Sequence, residues 1–133
     1  MTSFKVVPFG IRVYVSVNPD MAEAQREADK KIKELIFHAE GAEAFCVFSF
    51  PDMFIWLGPH TTRNTILHEA WHGFQSILEG IGASGEDEEI NAWIFAYFCD
   101  NLLKAYERQT KQPTPCYEQI SAPSDTSELA ERA

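Results

Sequence analysis

Hydrophobic and polar residues alternate from Ile11 onward: Ile11, Val13, Val15 and Val17 are separated by Arg12, Tyr14 and Ser16. A period of two marks a strand with one buried face. The pattern predicts a strand over residues 4 to 17, with regular pairing from Ile11 because Pro8 and Gly10 interrupt its beginning. The period then becomes helical. Ala24, Ala28, Ile32, Leu35, Ile36 and Ala39 form one face, while Glu23, Arg26, Glu27, Lys30, Lys31, Lys33 and Glu34 form a solvated outer face. Asn18-Pro19-Asp20 offers this helix a cap, a first-turn proline and a dipole-compensating acid. Gly41 is the expected C-terminal cap, and His38 close to it reads as structural.

Residues 43 to 50 are apolar on both faces, which predicts a central strand covered on each side. Pro51-Asp52 reads as a tight turn into a second strand from Met53 to Leu57, ended by Gly58-Pro59, so the two make a hairpin. Thr61 and Thr62 offer N-caps for a helix reaching about Glu79, with Leu67, Ala70, Trp71, Phe74, Ile77 and Leu78 as its core stripe. The glycine-rich run from Gly80 to Gly85 has no strand before it and no Lys-Ser/Thr after it, so it reads as a turn, not a phosphate loop. A last helix is expected over residues 86 to 108. Its acidic start suits the dipole, and its middle, Ile90 to Leu103, is apolar nearly all round, which predicts burial.

These elements describe an α+β fold in the order strand, helix, strand, strand, helix, helix, with a small sheet of about three strands packed on the helices. The folded domain would span residues 1 to 108. Residues 109 to 133, rich in Pro and Ser and without periodicity, would be a flexible tail.

Composition narrows the partners. A net charge of −9 argues against nucleic acid and anionic membranes, both of which call for a basic face. Cys46, Cys99 and Cys116 are odd in number and widely spaced, which reads as reduced thiols, two buried and one in the tail. The start lacks a basic-then-apolar signal pattern, and no apolar run approaches the ~20 residues of a membrane span. The expected location is the cytoplasm.

The chemistry lies in His68-Glu69-Ala70-Trp71-His72, an H-E-x-x-H run inside the helix predicted after Thr62. Helical residues i and i+4 share a face, so both imidazoles can aim at one metal ion. Zinc takes neutral imidazole, and a catalytic zinc uses three protein ligands and keeps one position for water. Glu69 is then placed as the general base, the arrangement of a zincin metallopeptidase. The plain alternative is an amphipathic helix with two histidines on its polar face.

Two histidines do not close a metal site. No third histidine follows within a few residues, so a carboxylate from the next helix is required, and Glu86, Asp87, Glu88 and Glu89 are all available. Glu89 is preferred on packing grounds. Ala92 and Ala96 share its face, and Ala70 and Gly73 on the motif helix would let the two axes close. Glu88 is second; Glu86 and Asp87 read as dipole compensation. His60 is a candidate donor to the oxyanion of an attacked carbonyl, with Tyr97 and Tyr106 as weaker candidates for the same role. The strand from Met53 to Leu57 is a candidate edge for an extended peptide.

The order of elements resembles the small gluzincin-type zincin core. The run from Glu89 to Ala96 is similar to the E-x-x-A-x-x-F-A run of ImmA/IrrE-type peptidases. The stretch from Arg63 to His72 looks like that of small phage-encoded H-E-x-x-H proteins. The resemblance covers roughly residues 4 to 105. It implies zinc on His68, His72 and Glu89, Glu69 as general base, and a peptide or protein substrate. Trp93 departs from the pattern, since gluzincins commonly carry Asp or Asn four residues after the ligand Glu, where it can orient a histidine. The orienting partner would then be Asn91 or a backbone carbonyl, and the small size of the chain, with no visible specificity subdomain, supports a second expectation, a non-catalytic binding or regulatory protein on the same scaffold.

Overall fold

The alternation that begins at Ile11 forms a strand, but the chain reverses ahead of it. In the computed structural model, which describes residues 1–7, 9–32, 43–82 and 87–114, β1 (Thr2–Val6) and β2 (Ile11–Ser16) pair antiparallel from Thr2↔Val15 to Val6↔Ile11. Gly10, at φ 68°, supplies the left-handed residue of the turn between them. The single strand expected over residues 4 to 17 is therefore a hairpin.

After β2 the chain enters α1 (Met21–Lys31). Asp20 is its N-cap, accepting from the Ala22 amide, while Asn18 accepts from the Asp20 amide and shapes the entry instead of capping. The rest of the predicted helix, with His38 and Gly41, lies outside the described residues. A hairpin follows, β3 (Ala44–Ser49) and β4 (Asp52–Leu57), with Phe50-Pro51 at its tip. The sheet therefore has four strands, not three, in the order β1-β2-β4-β3. β2 and β4 run parallel and the other neighbours antiparallel.

The strand expected at the edge is interior, and the one expected in the centre is outermost. The cause is that helices cover both faces of the sheet. Met53, Ile55 and Leu57 join Val13, Val15, Ile66, Ala70, Ile77, Phe98 and Leu102 in one core. Phe54 and Trp56 join Phe45, Ala24, Ala28 and Ile32 in the other. β3 is apolar on both faces because it too is covered above and below, which does not require a neighbour on each edge.

Two helices complete the chain, α2 (Arg63–Gly80) and α3 (Glu88–Thr110). They meet where Gly73 lets the backbone approach. A Cβ there would stand 2.9 Å from Phe98 Cζ and 3.0 Å from Met53 Sδ. The small residue expected at this contact is thus used. The burial expected around α3 is not found: Phe98, Cys99, Leu102, Ala105 and Tyr106 face the core, whereas Ile90, Trp93 and Tyr97 are exposed, Trp93 at 71%. α3 also passes its expected end. Thr114 is buried, and both its amide and its hydroxyl bond Glu107. Among the described residues, no helix is long and apolar enough to cross a membrane.

Candidate metal centre

α2 begins with a firm cap. The Thr62 hydroxyl accepts from the Thr65 amide, and the Thr65 hydroxyl accepts from the Thr62 amide. Ahead of it, the Thr61 hydroxyl donates to the Gly58 carbonyl. With the start fixed, helical phase sets every later side chain. Ile66, Ala70, Gly73 and Ile77 go to the core, and His68 and His72 go to the surface. Their Nε2 atoms are 3.1 Å apart, with the rings edge-on. Two nitrogens bound to one tetrahedral zinc at the usual distances lie about 3.3 Å apart. The pair converges as ligands of one ion would. The same spacing also suits an N–H···N hydrogen bond between two neutral imidazoles.

Glu69 lies one residue on, a quarter-turn or so around α2, and faces β3 rather than solvent. It is 8% exposed, its carboxylate lines the adjoining cavity, and no side-chain oxygen among the described residues is both buried and without a partner. Burial pushes its pKa above the usual carboxylate range, and the two neighbouring imidazoles partly oppose that shift. Cys46 projects from β3 toward the same side of the sheet, and its thiol is pushed far up, first by burial and then by the charge of Glu69. A polar-face histidine pair would need no such acid. Moving a carboxylate largely out of water costs desolvation, and groups so perturbed collect at functional sites.

Beside the pair lies a cavity of about 420 Å³, lined by Glu43, Ala44, Asn64, Thr65, His68 and Glu69. Glu43, Asn64 and Thr65 were not among the residues singled out from sequence. Glu43 arrives through strand pairing, its carbonyl accepting from the Gly58 amide at the far end of β4. Only the β3–β4 register, which is a long-range feature, could have found it.

The expected third ligand is not drawn in. Among the described residues, no three of His, Cys, Asp and Glu stand together as a metal site. Phe95 is the α3 residue that meets Trp71 and Phe74, and Glu89 lies six residues before it, about 9 Å along the helix. Ala92 and Ala96, expected to bring the helices together, share the exposed face of Glu89. Glu88 is also exposed, but its helical phase is that of Phe95, on the α2 side. Glu86 lies outside the described residues. His60 is exposed in the turn before α2 and is not part of the cavity lining. Tyr97 is held elsewhere, its hydroxyl donating to the Lys5 carbonyl, and Tyr106 is buried beside a different cavity. Cys99 is a buried free thiol with its pKa pushed up to about 11 by burial, and Cys116 lies outside the described residues.

No family model, curated protein or solved structure matches the chain.

Proposed function

We propose that the chain is a zinc-dependent hydrolase of peptide bonds, with His68 and His72 as metal ligands and Glu69 as general base. The observation that carries this reading is the 3.1 Å approach of the two Nε2 atoms beside Glu69, a mostly buried carboxylate that lines the adjoining cavity. The donor chemistry suits zinc, which takes imidazole and carboxylate together. The third ligand in this reading is Glu89, with Glu88 as alternate, and either requires the first turn of α3 to draw toward His72 on loading. Glu43, already in the cavity with His68 and Glu69, takes that place if α3 stays where it is.

Bound zinc would supply a Lewis acid that acidifies water and polarises the scissile carbonyl. The remaining work falls to side chains. Glu69 takes a proton from water at the mouth of the cavity and returns it to the leaving amine. Its raised pKa brings its basicity nearer to neutral pH, where proton transfer is most effective. His60, in the turn before α2, would have to move toward the cavity, whose lining does not include it, to bond the oxyanion. An extended peptide would add to β3, which no described strand pairs on its outer side, rather than to β4, which is enclosed.

The test is Glu69→Gln in zinc-loaded protein, assayed on a mixed peptide library. The variant should keep the wild-type metal content and lose all cleavage. Cleavage that survives the change removes Glu69 from the mechanism. A second reading, a non-catalytic binding protein on the same scaffold, draws on the lack of a third donor beside the histidines among the described residues. It expects zinc-loaded wild type to cleave nothing in that library.

A further inference from the structure

Several large apolar residues of α2 and α3 never reach the core. Leu67 and Trp71 on α2 are exposed, as are Ile90, Trp93 and Tyr97 on α3, with Trp71 at 51% and Trp93 at 71%. They belong to one continuous face. The Trp71 ring meets Phe95 edge-on, the ring centres 5.6 Å apart. Turning outward round α3 from Phe95, helical phase brings Ala92, then Ala96, then Trp93, and finally Tyr97 and Ile90. Ala92 and Ala96 are themselves exposed. Being small, they leave a shallow channel with Trp71 as one wall and Trp93 as the other.

The extent of this face decides what can cover it. Aromatic side chains offer about 150–250 Å² each, and with Leu67 and Ile90 the uncovered area comes to roughly 500 Å². The largest apolar patch of an ordinary monomer is about 300–600 Å², and patches near the top of that range mark contact surfaces. A stable protein pair buries about 800 Å² on each side, apolar at its centre and polar at its rim. The aromatic face supplies such a centre. It also carries both halves of a contact, because Trp93 is a ridge and the channel over Ala92 and Ala96 is a groove. A two-fold interface needs that combination, since both copies offer the same patch. Charge sets the direction. α3 is acidic in its first turn, at Glu88 and Glu89, and carries Lys104, drawn to Asp100 at 2.7 Å, four turns later. Antiparallel pairing turns the acidic end of each α3 toward the partner's Lys104, and charges so placed fix register more than affinity. The net charge of −9 opposes association at long range, but physiological salt screens it beyond about 8 Å. We infer that the chain forms a two-fold homodimer through this face, α3 antiparallel to α3, with Trp93 of each copy in the Ala92–Ala96 channel of the other. The dimer does not depend on the hydrolase reading. A first turn of α3 held across the two-fold leaves Glu43 as the third ligand in that reading.

The experiment is sedimentation velocity of the full chain over a concentration series. A chelator and a reductant are present, so that neither zinc shared between exposed histidines nor a disulfide can link two copies. Wild type should pass from one chain mass to two in the micromolar range, as an interface of modest size does. Trp93→Glu should weaken the dimer about thirtyfold or more, the effect of losing a central aromatic anchor. Ala96→Gln keeps every aromatic side chain but fills the channel, and it should weaken the dimer about tenfold or more, as a built-in clash does. Both positions are exposed, so both variants should keep the wild-type circular dichroism; should Trp93→Glu fail to fold, Ala96→Gln decides alone. The inference is overturned if wild type stays at one chain mass up to millimolar concentration, if it grows past two without limit, or if a folded variant dimerises like wild type.

Discussion

Gly73→Ala tests whether the contact between α2, α3 and the sheet is set by the absence of a side chain. Two effects oppose each other. Removing a glycine from a helix interior favours the variant by about 1 kcal/mol. Against this, the new methyl would lie 2.9 Å from Phe98 Cζ, 3.0 Å from Met53 Sδ and 3.2 Å from Phe98 Cε1, where ordinary carbon contacts are about 3.5–4.0 Å. Neither neighbour can give way into solvent, since Phe98 and Met53 are both 0% exposed. Phe98 is also held from behind by Phe4, whose ring centre is 5.6 Å away. Overpacking of a closed core costs about 1–3 kcal/mol, so the net expectation is a loss of about 1 kcal/mol, a few degrees in Tm for a chain of this size. Urea unfolding followed by circular dichroism measures it. Phe98→Leu removes the outer ring atoms, so Gly73→Ala should cost less in that background than in wild type. A single variant more stable than wild type by the full propensity gain would show that α3 does not need the glycine.

The histidine pair predicts metal linkage: at a hundredfold excess over its Kd, zinc should stabilise the wild type by about 2.7 kcal/mol, and His68→Ala or His72→Ala should abolish the shift in thermal unfolding. An undiminished shift in either variant would place the metal elsewhere. In protein stripped with a chelator, Glu69→Gln should be more stable than wild type at neutral pH, by up to about 1 kcal/mol, because it removes a charge held largely out of water. The sign with pH follows from the raised pKa. The folded protein holds the Glu69 proton more tightly than the unfolded chain, so the carboxyl's contribution is intact below its unfolded value of 4.5 and is lost as pH rises through the folded one. The advantage of Gln should therefore shrink in acid, and an advantage that is constant from acid to neutral pH contradicts a buried, titrating carboxyl. Gly58→Ala should cost about 2 kcal/mol, as a forced backbone clash does, because its Cβ would fall 2.5 Å from the Glu43 carbonyl oxygen and 3.0 Å from Trp56. Wild-type stability in chemical denaturation would refute that geometry.

What could be read from the residues, and what could not, divides along locality. His68 and His72 meet because they are four apart on one helix, a relation that needs nothing beyond the helix itself. The Thr62 cap was legible for the same reason. The roles of β3 and β4 were exchanged because an apolar strand reports what covers its faces and says nothing of who pairs with its edges. Burial of α3 was overestimated at Ile90, Trp93 and Tyr97 because an apolar helix can be matched on one side only. The choice of Glu89 failed as a packing argument for a related reason. Which turn of α3 lies beside His72 depends on how Phe95 and Phe98 settle against Trp71, Phe74 and Gly73, and that register is set between elements, not along either one.

Glu69 is where the requirements of folding and of chemistry separate. On α2, Ile66, Ala70 and Ile77 turn inward and His68 and His72 outward, while Leu67 and Trp71, expected in the core stripe, are exposed beside the histidines. A helix selected only for packing would carry an apolar residue at position 69, because the site is largely buried and faces the Cys46 side of β3. Leucine or methionine there would contribute burial where glutamate incurs desolvation. The two imidazoles partly oppose that cost, burial being the larger influence on its pKa. An acid that incurs desolvation where two nitrogen donors converge is what the proposed hydrolase requires, and the Glu69→Gln comparison of stability and cleavage separates that requirement from packing.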